Sequence, residues 1–269
     1  MNGGLITLGW VEIALVGAMV VAAVLLSLLL RLGLARELMV AAVRATLQLG
    51  AVGLVIGWVF RQHTWYWVVS VLGLMAIVAG TTAGGRLGMR GAGARSLGWM
   101  FSALLAGATA LVTGYLAWVV LGIDEWQGRY LIPLWGMLLG NAMTAVTLAG
   151  ERLSSGLREG AGEVEGLLAL GATAEFATRG PRRAALRAAL TPTLNAMMVV
   201  GLVKLPGMMT GQILGGSPPF QAAMYQLMIF LGIALCDLLS SSAAVWLLQR
   251  RYLTRHAQVH WARLRGEAG

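Results

Sequence analysis

Several polar side chains stand inside long apolar runs of this sequence, where a polar atom needs a partner, water or a cargo. Asn141, Thr144, Thr147 and Glu151 follow at steps of three and four, which on a helix lays an oxygen-rich stripe down one face. Such a stripe either lines a hydrated pathway or bonds to a neighbouring helix, and Asn195 in a later run suits the second role. Arg44 and Gln48, four apart, also share a face; Arg44 stands two turns from its helix end, within snorkelling reach of water. Asp237, beside Cys236, is the one carboxylate deep in the later runs and the group best suited to attract a cation. Lys204, the only lysine, precedes Pro206, whose ring removes a helical hydrogen bond. With Gly207 and Gly211 following, Pro206 to Gly216 is expected to form a discontinuous element, where Met208, Met209 and Gln212 could meet substrate. Thioethers select soft metals, and packing is the commoner role of methionine, so no metal ligand set is assigned.

Other chemistries lack their residues. Cys236 is the single cysteine, and His63, His256 and His260 all lie outside the apolar runs, which leaves no base or ligand cluster at depth. No serine, histidine and acid converge for hydrolysis.

The elements that position these groups follow from composition. Hydrophobic residues make up 58% of the 269 residues and charged ones 12%, about half the share in soluble domains. An all-α, polytopic membrane protein follows, one transmembrane domain over residues 1–269. Its apolar runs read as seven spanning helices near 7–30, 37–60, 65–85, 98–121, 131–150, 190–214 and 221–249. The sixth is interrupted by Pro206 and Gly207. G-x-x-x-G pairs at Gly136/Gly140 and Gly207/Gly211 offer close helix approach.

The net charge of +9 is distributed as in a membrane protein and does not indicate nucleic-acid binding. With the N-terminus outside, sixteen arginines fall in inner connections and the inner tail, and only Arg61 and Arg129, beside Asp124 and Glu125, fall outside. The positive-inside rule then places the N-terminus out and the C-terminus in, in a multi-pass inner-membrane protein.

The one long polar segment, 151–187, runs from Glu151, Glu159, Glu163 and Glu165 to Arg179, Arg182, Arg183 and Arg187. Val164, Leu167, Leu168 and Leu170 before Gly171 predict a short amphipathic helix closed by a left-handed glycine. Glu165 to Gly171 resembles the E-A-A-x-x-x-G loop of ABC importer permeases, although both alanines differ and the hydrophobic-x-Leu-Pro ending is replaced by Pro181 and Pro192. That resemblance implies that the short helix docks on an ATPase, with Glu163, Glu165, Leu168, Gly171, Ala172 and Phe176 in the coupling surface. A helix lying on the lipid surface is the competing reading.

A broader resemblance rests on Arg44 to Gln48, on Pro133 to Met143 and on Leu205 to Pro219, the stretch LeuProGlyMetMetThrGlyGlnIleLeuGlyGlySerProPro. These resemble the FetB-type permeases, also called YbbM-type, a family that includes plant aluminium-tolerance half-transporters and is associated with bacterial iron export. The resemblance implies a permease working with a soluble ABC ATP-binding subunit that holds ATP and Mg, with two permease chains per transporter. The chain itself has no G-x-x-x-x-G-K-[ST] loop, since Lys204 follows Val203, so it is expected to bind no cofactor and not to be an enzyme alone. An ion-gradient-driven transporter or channel is the alternative, although its usual internal repeat is not evident.

Overall fold

A computed structural model describes residues 9–62, 64–87, 92–123, 126–253 and 259. The three histidines, Asp124, Glu125, Arg90, Arg255, Arg263 and Arg265 lie outside them. The described chain is helical, with two isolated β-bridges in place of strands. Among the described residues six helices are long and apolar enough to cross a membrane.

Two of these, α1 (Trp10–Leu29) and α2 (Ala35–Gln62), form a compact unit of their own. Between them the chain turns through left-handed Arg31 and Gly33, with φ of 51 and 72°. Most of their large apolar side chains, Leu25, Leu47 and Leu54 among them, are exposed. A helix whose backbone is fully bonded internally can present such faces to lipid without cost.

The second unit, His63–Gly269, contains α3 (Trp65–Arg86), α4 (Ala92–Gly114) with a π-helical continuation Tyr115–Val120, and α5 (Gly128–Glu159). Short helices α6 (Ala161–Ala169) and α7 (Ala174–Ala177) follow, then α8 (Arg179–Val199), α9 (Gly207–Leu214) and α10 (Pro219–Tyr252). α5 is the central post, packed on α3, α4, α8 and α10.

Small residues set the tightest approach, but not those of the G-x-x-x-G pairs. A Cβ at Gly80 of α3 would overlap the backbone of Ser102 on α4, and one at Gly84 would stand 2.9 Å from Gly98 Cα. Gly140, Gly207 and Gly211 have nothing within 4 Å of a built Cβ, and Gly136 meets only the flexible end of Met75. The spacing occurs by chance in a chain with 37 glycines.

The sixth span, expected over 190–214 with an interruption at Pro206 and Gly207, is divided earlier than that. α8 begins well before it, at Arg179, and stops at Val199; Gly201, at φ +82°, turns the chain, and α9 resumes after Pro206. The expected irregular Pro206–Gly216 is mostly the regular helix α9, and the break lies just before it, over 200–206. Proline at the N-cap starts a helix as readily as it ends one.

Cross-helix contacts give the relative depths. Gly232 of α10 faces Leu138 of α5 and Leu116 of the π-helical turn, while Gly150 of α5 faces Leu248 of α10, so α5 and α10 run parallel. Gly156 of α5 meets Pro181 of α8, and Thr193 of α8 bonds to Asp237 of α10, so α8 runs antiparallel to both. The uncharged stretch Tyr130–Gly150 of α5 measures about 31 Å at 1.5 Å per residue, the thickness of a hydrocarbon core. Its middle falls at Gly140 and Asn141. Counted from the Gly156–Pro181 contact, Arg187 is level with the basic end of that stretch and Val199 is level with Leu138, close to the middle.

Candidate functional site

A layer of polar groups lies at this middle depth. Asp237 is fully buried, and its Oδ2 accepts a hydrogen bond from Thr193 Oγ1 at 2.5 Å. Next to it on α10, Cys236 Sγ is 3.7 Å from Thr109 Oγ1 of α4. Ser240 and Ser241 donate to the carbonyls of Cys236 and Asp237 one turn back. The carboxylate thus fastens α10 to α8 inside the bundle, while Asp237 Oδ1 has no hydrogen-bond partner. The sequence singled out Asp237 but not Thr193 or Thr109. Isolated threonines in apolar helices are too common to be noticed, and only the fold brings them opposite α10.

A second set of polar groups at the same depth is exposed. On α5, Asn141, Thr144 and Glu151 are exposed, but Thr147 is buried against the bundle. Each step of three lags a full turn by about 60°, so two such steps carry Thr147 out of the stripe. Asn195 of α8, exposed, is nearly level with Asn141 but does not bond to it: Asn141 Nδ2 donates to Met137 O of its own helix at 2.8 Å. Thr193 faces α10, so Asn195, two residues further and about 200° round the helix, faces away from α10. Asp237 and Asn195 therefore lie on different sides of α8.

The remaining pathway candidates are spread out. Arg44 and Gln48 are exposed on α2, in the other unit. Pro206 is buried at the start of α9, with Met208, Met209 and Gln212 half-buried on that helix. Among the described residues no group of three His, Cys, Asp or Glu side chains could hold a metal. At the opposite end from the arginine-rich connections, Gln127, Arg129, Tyr130 and Tyr225 line an open cavity of about 610 Å³, and the Arg129 guanidinium lies 5.0 Å from the centre of the Tyr130 ring. Trp118 and Trp126 pack edge to face nearby in sequence, the aromatic residues expected at a membrane boundary.

The polar segment between α5 and α8 folds into a small helical knob. α6 ends at Ala169, and Gly171 takes the expected left-handed conformation at φ +86°. Its amide and that of Ala172 return to the Leu168 and Leu167 carbonyls, which closes the helix. Thr173 Oγ1 then caps α7 by accepting from the Phe176 amide. Val164, Ala177 and Thr178 are buried and anchor the knob, while Leu170 is 87% exposed and Phe176 58%. Glu163, Glu165 and Glu175 are exposed on the same two helices, Leu168 and Ala172 being half-buried. The residues expected to form the coupling surface thus share one projection.

Across 261 residues the chain is 41% identical to the UPF0014 membrane protein slr1647 of Synechocystis, a match covering 96% of this chain and 99% of that one. It is 35% identical to the protein ALUMINUM SENSITIVE 3 of Arabidopsis thaliana, over 88% and 86% of the two chains. It is 32% identical to the probable iron export permease protein FetB of Escherichia coli, over 92% and 94%. No solved structure matches. Residues 10–253 match the model of the uncharacterised protein family UPF0014, and the chain is a multi-pass membrane protein belonging to that family.

Proposed function

We propose that this chain is the membrane-spanning permease subunit of an ATP-driven exporter in the inner membrane, moving a metal cation such as iron. ATP and Mg are bound by a separate soluble ABC ATP-binding subunit, and two permease chains assemble with it. The observation that carries this reading is the α6–α7 knob. Two exposed apolar side chains, Leu170 and Phe176, project from a short, doubly capped helical hairpin on the arginine-rich side. A surface helix on lipid would turn its apolar face and its cations to the anionic headgroups, whereas the charged side chains on α6 and α7 themselves are Glu163, Glu165 and Glu175. A cleft in a partner protein fits the knob better. The relative named as a probable iron export permease supports the cargo and the direction, and the arginine distribution supports an N-out, C-in orientation.

Co-purification with the ATP-binding subunit, followed by metal-stimulated ATP hydrolysis in nanodiscs, tests the reading. Leu170→Asp with Phe176→Asp is expected to abolish both while leaving the permease folded and inserted. Retention of the ATPase by that double variant would remove the coupling role of the knob.

The interruption of α8 favours a second reading, a gradient-driven transporter, because broken helices at mid-depth are common in such proteins. Cation uptake into liposomes by the permease alone, driven by a proton or sodium gradient without ATP, would support it over the first.

A further inference from the structure

We propose that a cation binds at mid-membrane where α8 ends, held by oxygen atoms: the main-chain carbonyls of Met197 and Met198 and the side-chain amide oxygens of Asn195 and Asn141. The inference rests on the transport reading and specifies where that transporter would hold its cargo and with what atoms.

The first observation is that α8 presents unsatisfied acceptors at the wrong depth for water. Its last residue, Val199, is level with Leu138, within about 3 Å of the middle of the α5 hydrocarbon stretch. A helix leaves its last carbonyls without intrahelical donors. Past the end of α8, the Gly201 amide turns to Lys204 O at 3.0 Å, and the amides of Val203 and Lys204 both go to Val199 O, at 3.0 and 3.3 Å. Among the described residues no backbone amide donates to the carbonyls of Met197 and Met198. Lipid cannot donate to them, and irregular backbone at this depth is tolerated only where protein or water surrounds it.

The second observation is the orientation of the side chains at that level. Asn141 gives one of its two amide hydrogens to Met137 O, which fixes Nδ2 towards its own helix and leaves Oδ1 as a free acceptor; the opposite assignment would set two oxygens against each other. Thr144 and Thr191 spend their hydroxyl hydrogens on Gly140 O and Arg187 O in the same way. Asn195 makes no side-chain hydrogen bond among the described residues and is exposed, as Asn141 is. The exposed surface at mid-depth is therefore rich in lone pairs. The negative end of the α8 dipole adds to it. Such a surface attracts a cation, and oxygen donors of this type suit hard ions of the Mg, Ca and Mn class better than soft ones. Lys204, five residues past Val199, carries the same sign of charge and competes with the ion.

Mn2+ serves as the probe, its binding to the full-length chain in lipid nanodiscs followed by electron paramagnetic resonance. Wild type is expected to bind it, and Asn141→Ala and Asn195→Ala to weaken binding about tenfold or more. Asn141→Asp and Asn195→Asp, which keep the oxygen and add charge, should tighten it and show that substitution at these positions does not unfold the chain. Lys204→Gln should also tighten binding. Absence of Mn2+ binding, binding indifferent to both asparagines, or loss of binding in Lys204→Gln would each overturn the site. The assay contains no ATPase, so failure of the site is distinguishable from failure of the transport reading, which shows as loss of partner binding and of metal-stimulated hydrolysis.

Discussion

α8 begins and α10 ends at the arginine-rich end of the bundle, the two antiparallel and tied by the bond from Thr193 to Asp237, yet α10 spans the full depth and α8 stops halfway. α10 runs unbroken for 34 residues. Twelve uncharged residues of α8, Ala188 to Val199, reach about 18 Å and end at mid-depth. The two differ little in apolar character over that stretch, so hydrophobicity does not explain the outcome. α10 has no proline after its first turn and buries a face along its whole length. After α8, Gly201 adopts a left-handed conformation, Lys204 brings a charge, and Pro206 opens a new helix. Burial thus decides that a segment enters the membrane, whereas backbone chemistry decides whether it crosses as one helix.

The strongest way to break this pairing is at its shared bond. Asp237→Ala removes the acceptor of a buried threonine hydroxyl and is expected to cost about 2–3 kcal/mol, read as a lower Tm of the purified protein. Thr193→Val should cost less, and a double-mutant cycle between them should show coupling of at least about 0.5 kcal/mol. Additive losses would mean that α8 is held to α10 by packing alone.

Next in size is the apolar side of α10. A Cβ at Gly232 would stand 2.6 Å from Leu116 Cδ1 and 3.5 Å from Leu138 Cδ2. Gly232→Val therefore overpacks the contact among α5, α10 and the π-helical turn, at a cost of about 2 kcal/mol. Because the nearest atom is the end of a flexible leucine, Gly232→Ala should cost clearly less. Equal Tm values for both variants and wild type would show that the helices can separate there freely.

These contacts also mark what could be read in advance. The five long apolar runs that became α1 to α5, and α10, announced themselves by composition, and the Val164–Gly171 pattern announced α6 with its left-handed closure. The start of α8 was hidden because Arg179, Arg182, Arg183 and Arg187 read as a polar connection, although arginine is a good helix former. Thr147 was misplaced by treating steps of three as one face. The Thr193–Asp237 bond depends on register between helices 44 residues apart, which no local pattern carries. For the site, residue types were legible but their division was not: Asp237 turned inward while Asn141 and Asn195 stayed exposed.

A smaller effect is expected at the turn that ends α8. Gly201 has φ +82°, and an L-residue there carries a penalty of about 1 kcal/mol. Gly201→Ala should lower Tm slightly while reducing transport much more, since it redirects the chain between the free carbonyls and α9. A parallel fall in stability and transport would make the turn merely structural.

The smallest effect sharpens the comparison from the other side. Gly207 and Gly211 of α9 have open space around a built Cβ and lie in ordinary helical backbone. Alanine removes the entropic cost of glycine in a helix, so Gly211→Ala is expected to change stability by no more than about 0.5 kcal/mol, in the stabilising direction if at all. The same substitution in the assembled transporter gives the contrast. A neutral permease variant that nonetheless fails to pair with a second chain, seen as loss of the dimer by crosslinking in membranes, would make the Gly207–Gly211 face an intermolecular contact. Unchanged pairing would leave α9 facing lipid or the pathway, with its glycines serving only the break that separates α8 from α10.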